Sequence, residues 1–350
     1  MTEQGQIWFE PDYFKNFKCK CSECRHCCCS GWKIGISKKE YDNLIKLKCS
    51  NKLRKRIENA FVDVCFPTDD LYKRISPNWL NVCPMLDNNG LCLLQKECGV
   101  ANLPIICNVY PRKYSDNNGY LKATCTCSCE AVVELLIKED QVNFVYQEQN
   151  VKANIKRNLK MDSLEKSNQL ISLLQNRNVA LNERIANICS LIANKEFLIS
   201  FDMLGQGLEK LLFVMKKLSF LSTELEESRD FLERKIKESD DFSRNYLLDL
   251  SIYKNNYPDE TKWLENILVN HFIYSDIPFV DERLQTDQCL PGICLAYALI
   301  RLVLVIRTKD NPSVDHFVDI LSGLFHFIEH TSFYYNAFVL IKQPEILLTL

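Results

Sequence analysis

Phe17-Lys18-Cys19-Lys20-Cys21-Ser22-Glu23-Cys24-Arg25-His26-Cys27-Cys28-Cys29-Ser30-Gly31-Trp32 packs six thiols into eleven residues. So many thiols cannot all reach one tetrahedral ion, so some are ligands and others spectators. A second set follows at Cys83-Pro84-Met85-Leu86, Gly90-Leu91-Cys92, Cys107-x2-Tyr110-Pro111-Arg112 and Cys125-x-Cys127-x-Cys129-Glu130. Glycine and proline beside these thiols suit tight turns whose backbone N–H groups can hydrogen-bond sulfur. Fifteen of the 18 cysteines lie at or before residue 129.

Such density means either a disulfide framework or metal chemistry. The first residues, MTEQGQIWFEPDYF, show no basic, apolar and small-residue succession of a secretory leader. The most apolar run, Ile293–Ile306, contains Arg301 and is shorter than the roughly 20 residues of a membrane span. The expectation is a cytoplasmic chain with reduced thiols that bind metal. Spacing leaves the metal open. Zinc ribbons need two C-x2-C knuckles, and only the first block offers that spacing. The ferredoxin run C-x2-C-x2-C-x3-C-P begins at Cys21, Cys24 and Cys27 but fails at Gly31. No three cysteines stand at i, i+4 and i+7, the spacing of radical S-adenosylmethionine enzymes. Soft thiolate sets select zinc or iron–sulfur.

Residues 1–130 read as an irregular cysteine-cluster, metal-binding domain. A short strand is expected at Trp32–Ile36, helical spacing at Lys38–Leu47 and Leu53–Val64, and a turn at Asn117-Asn118-Gly119 between Val109–Tyr114 and Tyr120–Thr126. Bound metal would supply folding free energy to a segment so broken by turns. Residues 131–350 read as a helical domain, with helices at Ala131–Val145, Val151–Asn176, Val179–Ile192, Leu221–Lys237, Asp241–Tyr253, Thr261–Tyr274, Ile293–Ile306 and Ser313–His330. The fold class is therefore mainly α: a cysteine-rich region with a few short strands, then an all-helical domain.

Charge follows the same division. Residues 1–130 carry 19 Lys and Arg against 14 Asp and Glu, a formal +5, and the remainder carries 24 against 31, a formal −7. The net −2 gives no overall attraction to nucleic acid or an acidic membrane surface. The basic cluster Lys52-Leu53-Arg54-Lys55-Arg56 reads as the solvated face of a helix. Phe201-Asp202-Met203-Leu204-Gly205-Gln206-Gly207 resembles a strand entering a nucleotide-binding glycine loop, but apolar residues keep one helical phase through both glycines. A core helix is expected there. His26 reads as exposed or supporting rather than as a ligand. His271, His316, His326 and His330 read as helix packing, because no His-Glu-x-x-His pattern is present. Cys189, Cys289 and Cys294 read as core thiols.

Cys19-x4-Cys24-x3-Cys28-Cys29-x-Gly31-Trp32 resembles the opening motif of the bacterial flagellin lysine N-methylase family, within a wider group of zinc- or iron-chelating cysteine-cluster proteins. The resemblance continues through Cys83-Pro84-Met85-Leu86, Gly90-Leu91-Cys92-x2-Gln95-Lys96 and Cys107-x2-Tyr110-Pro111-Arg112. It extends to Asn270-His271-Phe272, Tyr297–Leu302 and Phe327-Ile328-Glu329-His330. It implies metal ligands at Cys19, Cys24, Cys28, Cys29, Cys83, Cys92 and Cys107. Where the family has Ser-Cys-Pro-Glu, this chain has Cys127-Ser128-Cys129-Glu130, so the eighth ligand is Cys127 or Cys129; Cys127 is adopted. Cys21, Cys27 and Cys98 are extras on this reading. The resemblance further implies methyl transfer from S-adenosylmethionine to lysine ε-amines of flagellin, with a [4Fe-4S] cluster or, alternatively, zinc. A lysine amine attacks only when neutral; Glu130 and Tyr110 stand beside ligand cysteines as candidates to take its proton. The competing class is a non-catalytic zinc- or iron-binding carrier, sensor or interaction module.

Overall fold

The structure, a computed structural model, describes residues 5–350 apart from 80, 117–119, 151–160, 239–240 and 310. In chain order its principal elements are β1 (Gly5–Pro11), β2 (Ile34–Ile36), α1 (Lys38–Lys46), α2 (Asn51–Ala60), β3 (Phe61–Asp63), β4 (Lys73–Ile75), α3 (Leu93–Cys98), α4 (Ile105–Val109), β5 (Arg112–Asp116), β6 (Tyr120–Cys125), α5 (Glu130–Leu136) and β7 (Phe144–Asn150). Helices follow: α6 (Met161–Leu174), α7 (Leu181–Ala193), α8 (Leu204–Leu218), α9 (Thr223–Lys237), α10 (Phe242–Asn256), α11 (Glu260–Tyr274), α12 (Leu290–Thr308), α13 (Val314–His330) and α14 (Phe333–Leu340). The mainly α expectation holds. The expected turn at 117–119 and the first part of the expected helix at 151–176 lie outside the described residues.

Two compact units result, and their boundary differs from residue 130. One unit combines Met1–Phe17 with Arg112–Leu350; the other is Lys18–Pro111. The reason is strand pairing. β1 lies between β6, to which it runs parallel (Phe9 opposite Lys122), and β7, to which it runs antiparallel (Phe9 opposite Tyr146). With the antiparallel β5–β6 pair this gives a sheet in the order β5-β6-β1-β7. The backbone groups of β1 find their ladder only there. Phe9 stacks on Phe144 with centroids 4.8 Å apart, which fixes the pairing face. The helix expected over Ala131–Val145 therefore stops at Leu136, and Phe144–Asn150 is a strand.

In the larger unit, side chains of Ser222, Asp241 and Ser313 accept backbone N–H groups at the starts of α9, α10 and α13. At its centre runs α12, buried along nearly its whole length. Here the sequence expectation is corrected: among the described residues, Thr286–Thr308 is long and apolar enough to cross a membrane. Its apolar window is wholly buried inside the protein, as in the central helix of a bundle. Arg301 does not interrupt it, because Nη1 meets Glu260 of α11 at 2.6 Å and both side chains are buried.

The smaller unit builds a sheet in the order β2-β4-β3 under α1 and α2. Its core is small: Ile36, Leu44, Leu53, Ile57, Ala60, Ile75, Met85, Leu93 and Leu94. Ser37 and Glu40 form a capping box on α1. The basic cluster is a solvated face only for Lys52 and Lys55. Arg54 donates to the Ile45 carbonyl at 2.6 Å and to Leu44 and Leu47, capping the end of α1, while Arg56 reaches the loop after Cys83.

Helix α8 passes through Gly205 and Gly207 as the periodicity requires. A Cβ on Gly207 would stand 2.7 Å from the Ile346 carbonyl oxygen and 2.8 Å from Thr349 Oγ1, whereas one on Gly205 meets nothing closer than Ser243 Oγ at 3.4 Å. Gly207→Ala is expected to destabilise the chain by about 1–3 kcal/mol in denaturant unfolding. Gly205→Ala should leave stability unchanged or slightly raised. Equal midpoints for both variants would contradict this packing.

Candidate metal centre and a buried polar network

The smaller unit places the first cysteine block against the second through backbone hydrogen bonds. Cys21–Glu23 form a single 3-10 turn, entered through Cys21 at a left-handed φ of 53°. The Cys21 N–H points at Cys19 Sγ, 3.3 Å away. At the other end of the block, Cys83 N–H donates to the Cys29 carbonyl at 2.7 Å, and Gly31 N–H donates to Asn81 at 2.9 Å. Gly31 needs its φ of 83° to make that turn. Cys83 and Cys92 flank a tight loop closed by a Leu86–Cys92 bridge, and Asp87 Oδ1 accepts the N–H groups of Asn89 and Leu91. Cys107 arrives on α4, whose first N–H donates to Glu40 Oε1 at 2.8 Å. Trp32 meets Tyr110 edge-on, with centroids 6.2 Å apart.

Four segments thus bring thiols together. Cys107 lies within electrostatic reach of Cys83, Cys92 and Cys28. Cys83 lies within reach of Cys92 and Cys27. Cys19 is close to Cys21 and, more weakly, to Cys28. Cys29 hydrogen-bonds with Cys27 and Cys28, which raises its thiol pKa and lowers that of Cys27. Burial pushes the Cys83 thiol up to about 11 and that of Cys107 up to about 12. Cys27, an extra by resemblance, belongs to this cluster by position. Cys24 is half-buried and His26 exposed in the same block. Among the described residues no three His, Cys, Asp or Glu side chains stand at closed ion-binding geometry. In kind, the donors fit a soft, thiolate-seeking group, which must displace their protons to bind.

Cys127, the adopted eighth ligand, lies in the larger unit, at a turn between β6 and α5. It is fully buried, and Asn270 Nδ2 donates to its sulfur at 3.1 Å and to the Cys125 carbonyl at 2.9 Å. Tyr13 donates to Asn270 Oδ1. Cys129, at the end of that turn, is half-buried. Glu130 is buried and Tyr110 half-buried, one in each unit.

The same turn is gripped by a network that the helix-packing reading of the histidines does not anticipate. The Glu329 carboxylate is fully buried and accepts the Cys127 N–H at 3.0 Å, the Thr126 hydroxyl, and His271 Nδ1 at 2.9 Å. On its other side His271 Nε2 lies 2.8 Å from the Tyr334 hydroxyl. His330 Nε2 lies 2.8 Å from Ser128 Oγ and 3.1 Å from Thr126 Oγ1. The signal in the sequence was Asn270-His271 and Glu329-His330 inside otherwise apolar helices, since buried polar groups need partners. Cys189, Cys289 and Cys294 are core thiols as expected, with Sγ of Cys189 and Cys294 3.8 Å apart.

The chain is 26% identical over 131 residues to the lysine-N-methylases of Salmonella choleraesuis and Salmonella typhimurium, a stretch covering 37% of this chain and 32% of each relative. It is 27% identical over 146 residues to the flagellar biosynthetic protein FliU of Salmonella muenchen, covering 37% of this chain and 76% of that relative. The chain thus spans about a third of the length of the lysine-N-methylases it matches. No protein-family profile matches it, and neither does any solved structure. It is a distant relative of proteins named for lysine methylation and flagellar biosynthesis.

Burial, helped by the nearby His326 and Lys113 charges, pushes the His330 imidazole down to about 3. The unfolded chain takes up that proton near pH 6.5 and the folded chain does not, so stability falls as pH drops from about 6.5 toward 3. About 2 kcal/mol should be lost by pH 5. His330→Gln is expected to flatten this part of the stability–pH curve measured by denaturant unfolding. An unchanged acid limb in the variant would count against a neutral, buried His330.

Proposed function

We propose that this chain is a protein-lysine N-methyltransferase that transfers a methyl group from S-adenosylmethionine to lysine ε-amines of flagellin in the cytoplasm. Its likeness to the Salmonella lysine-N-methylases carries this reading, and the name of the FliU relative supports a flagellar substrate. Cys19, Cys24, Cys28, Cys29, Cys83, Cys92 and Cys107 and, in the larger unit, Cys127 are the candidate ligands; four of these thiolates would hold a [4Fe-4S] cluster, zinc being the alternative occupant. The clustering of thiols from four segments supports a soft metal group there. Such a group, when bound, supplies folding free energy and a Lewis-acidic centre.

In the transfer, the lysine nitrogen forms a bond to the methyl carbon as the bond from carbon to the donor sulfur breaks, leaving a thioether. The amine must first lose its proton, so the site must desolvate it or accept that proton. The chain's own part is to hold the amine away from water and in line with the donor.

Anaerobic incubation of the metal-loaded full chain with flagellin and labelled S-adenosylmethionine, followed by mass spectrometry, should show methyl groups on flagellin lysines. Absence of methyl gain with fully loaded protein would sink the proposal. Cys28→Ser and Cys29→Ser are each expected to lose bound metal and to increase proteolysis within Lys18–Pro111. Full metal content in both variants would show that these two are not ligands. A brown protein absorbing broadly in the visible supports iron–sulfur, and a colourless one with stoichiometric zinc supports the alternative occupant.

A further inference from the structure

We infer that Arg56 is a positioning residue for the Cys83–Cys92 loop, its guanidinium Nη1 bridging the Pro84 and Leu86 carbonyls from helix α2. The inference rests on the reading that Cys83 and Cys92 hold the metal group. Three successive carbonyls in this loop need donors. Met85 O receives the Leu93 N–H at 2.8 Å, while Pro84 O and Leu86 O on either side both receive Arg56 Nη1, the former at 2.8 Å. The helix that carries Arg56 is fixed, because Leu53, Ile57 and Ala60 are fully buried in the core of the unit. One nitrogen on a rigid helix therefore sets the distance between two carbonyls that flank the turn out of Cys83.

The chemistry suits arginine specifically. The two N–H bonds of one guanidinium nitrogen are fixed in a plane and always charged, so they hold two acceptors in one geometry, whereas the N–H bonds of a lysine ammonium rotate freely. Arg56 thus serves the loop by bracing its backbone. Lys55, its exposed neighbour on α2, is the natural control.

Hydrogen exchange on the full chain without metal tests the bracing independently of any activity. In Arg56→Lys the amides of Leu86, Asp87 and Leu93 should exchange roughly tenfold faster, as befits loss of charged hydrogen bonds. Amides of α2 should keep wild-type rates, and Lys55→Ala should change none of them. In parallel, metal release to a chelator should be roughly tenfold faster from Arg56→Lys than from wild type, since supporting partners of ligands typically carry that much affinity. Wild-type exchange in the loop of Arg56→Lys would overturn the inference. So would faster exchange spread equally over α2, which would assign Arg56 to the whole fold, and so would unchanged chelator release despite a loosened loop. A wild-type chain that takes up no metal would refute the ligand reading instead, with the exchange result for the loop still standing.

Discussion

A carboxylate buried without water must find its full set of donors inside the protein, and in the larger unit Glu329 does so. Its partners come from the β6–α5 turn and from α11, with Tyr334 of α14 one step further through His271. Three stretches of chain, the β6–α5 turn, α11 and the consecutive helices α13 and α14, therefore have to arrive together before the charge is tolerated. Removing one partner of such a group typically costs about 3–5 kcal/mol, because the charge stays behind. The same logic recurs where Glu265 is held by Arg177 and Arg184, and where Glu260 meets Arg301 in the middle of α12. These pairs tie α11 to α7 and to α12.

The smaller unit is organised on another principle. Its apolar core is small, and the order in its cysteine loops comes from backbone groups satisfying one another and from side chains satisfying backbone. Cys83 is tied to Cys29, Gly31 to Asn81, Ile105 to Glu40, and the loop carbonyls to Arg56. Each such bond contributes only about 1 kcal/mol net. A unit resting on them has much to gain from a bound group that also cross-links its loops.

Periodicity and caps made most of the helical half legible: the helices α7, α9, α10, α11 and α13 begin and end within a few residues of their signals. The glycine pair at 205 and 207 was legible for the same reason. Three things were not. β1 is a single short strand whose meaning depends on partners more than a hundred residues away, which no local pattern records. Arg54 and Arg56 look like surface charge until the carbonyls they serve are placed beside them. Helix α12 itself falls within three residues of its expected bounds, but the burial of Arg301 inside it was not legible, because its partner Glu260 stands 41 residues away. The cysteine motifs themselves were plain, but their division between two units was not, since spacing along the chain says nothing of which side of a boundary a thiol falls.

That division bears on the chemistry of the thiols. A [4Fe-4S] group takes four thiolates, and Lys18–Pro111 alone carries seven of the eight proposed ligands, with Cys27 beside them. Cys127 stands in a different setting. Burial raises its thiol pKa well above the ordinary value, the Glu329 carboxylate adds to that, and only Asn270 opposes them with a hydrogen bond to sulfur. To ligate, it would have to lose a proton next to a buried anion. Cys129, two residues on, is half-buried. Of the two thiols between which the sequence does not choose, Cys127 is thus well placed to pin the turn against α11 through Asn270.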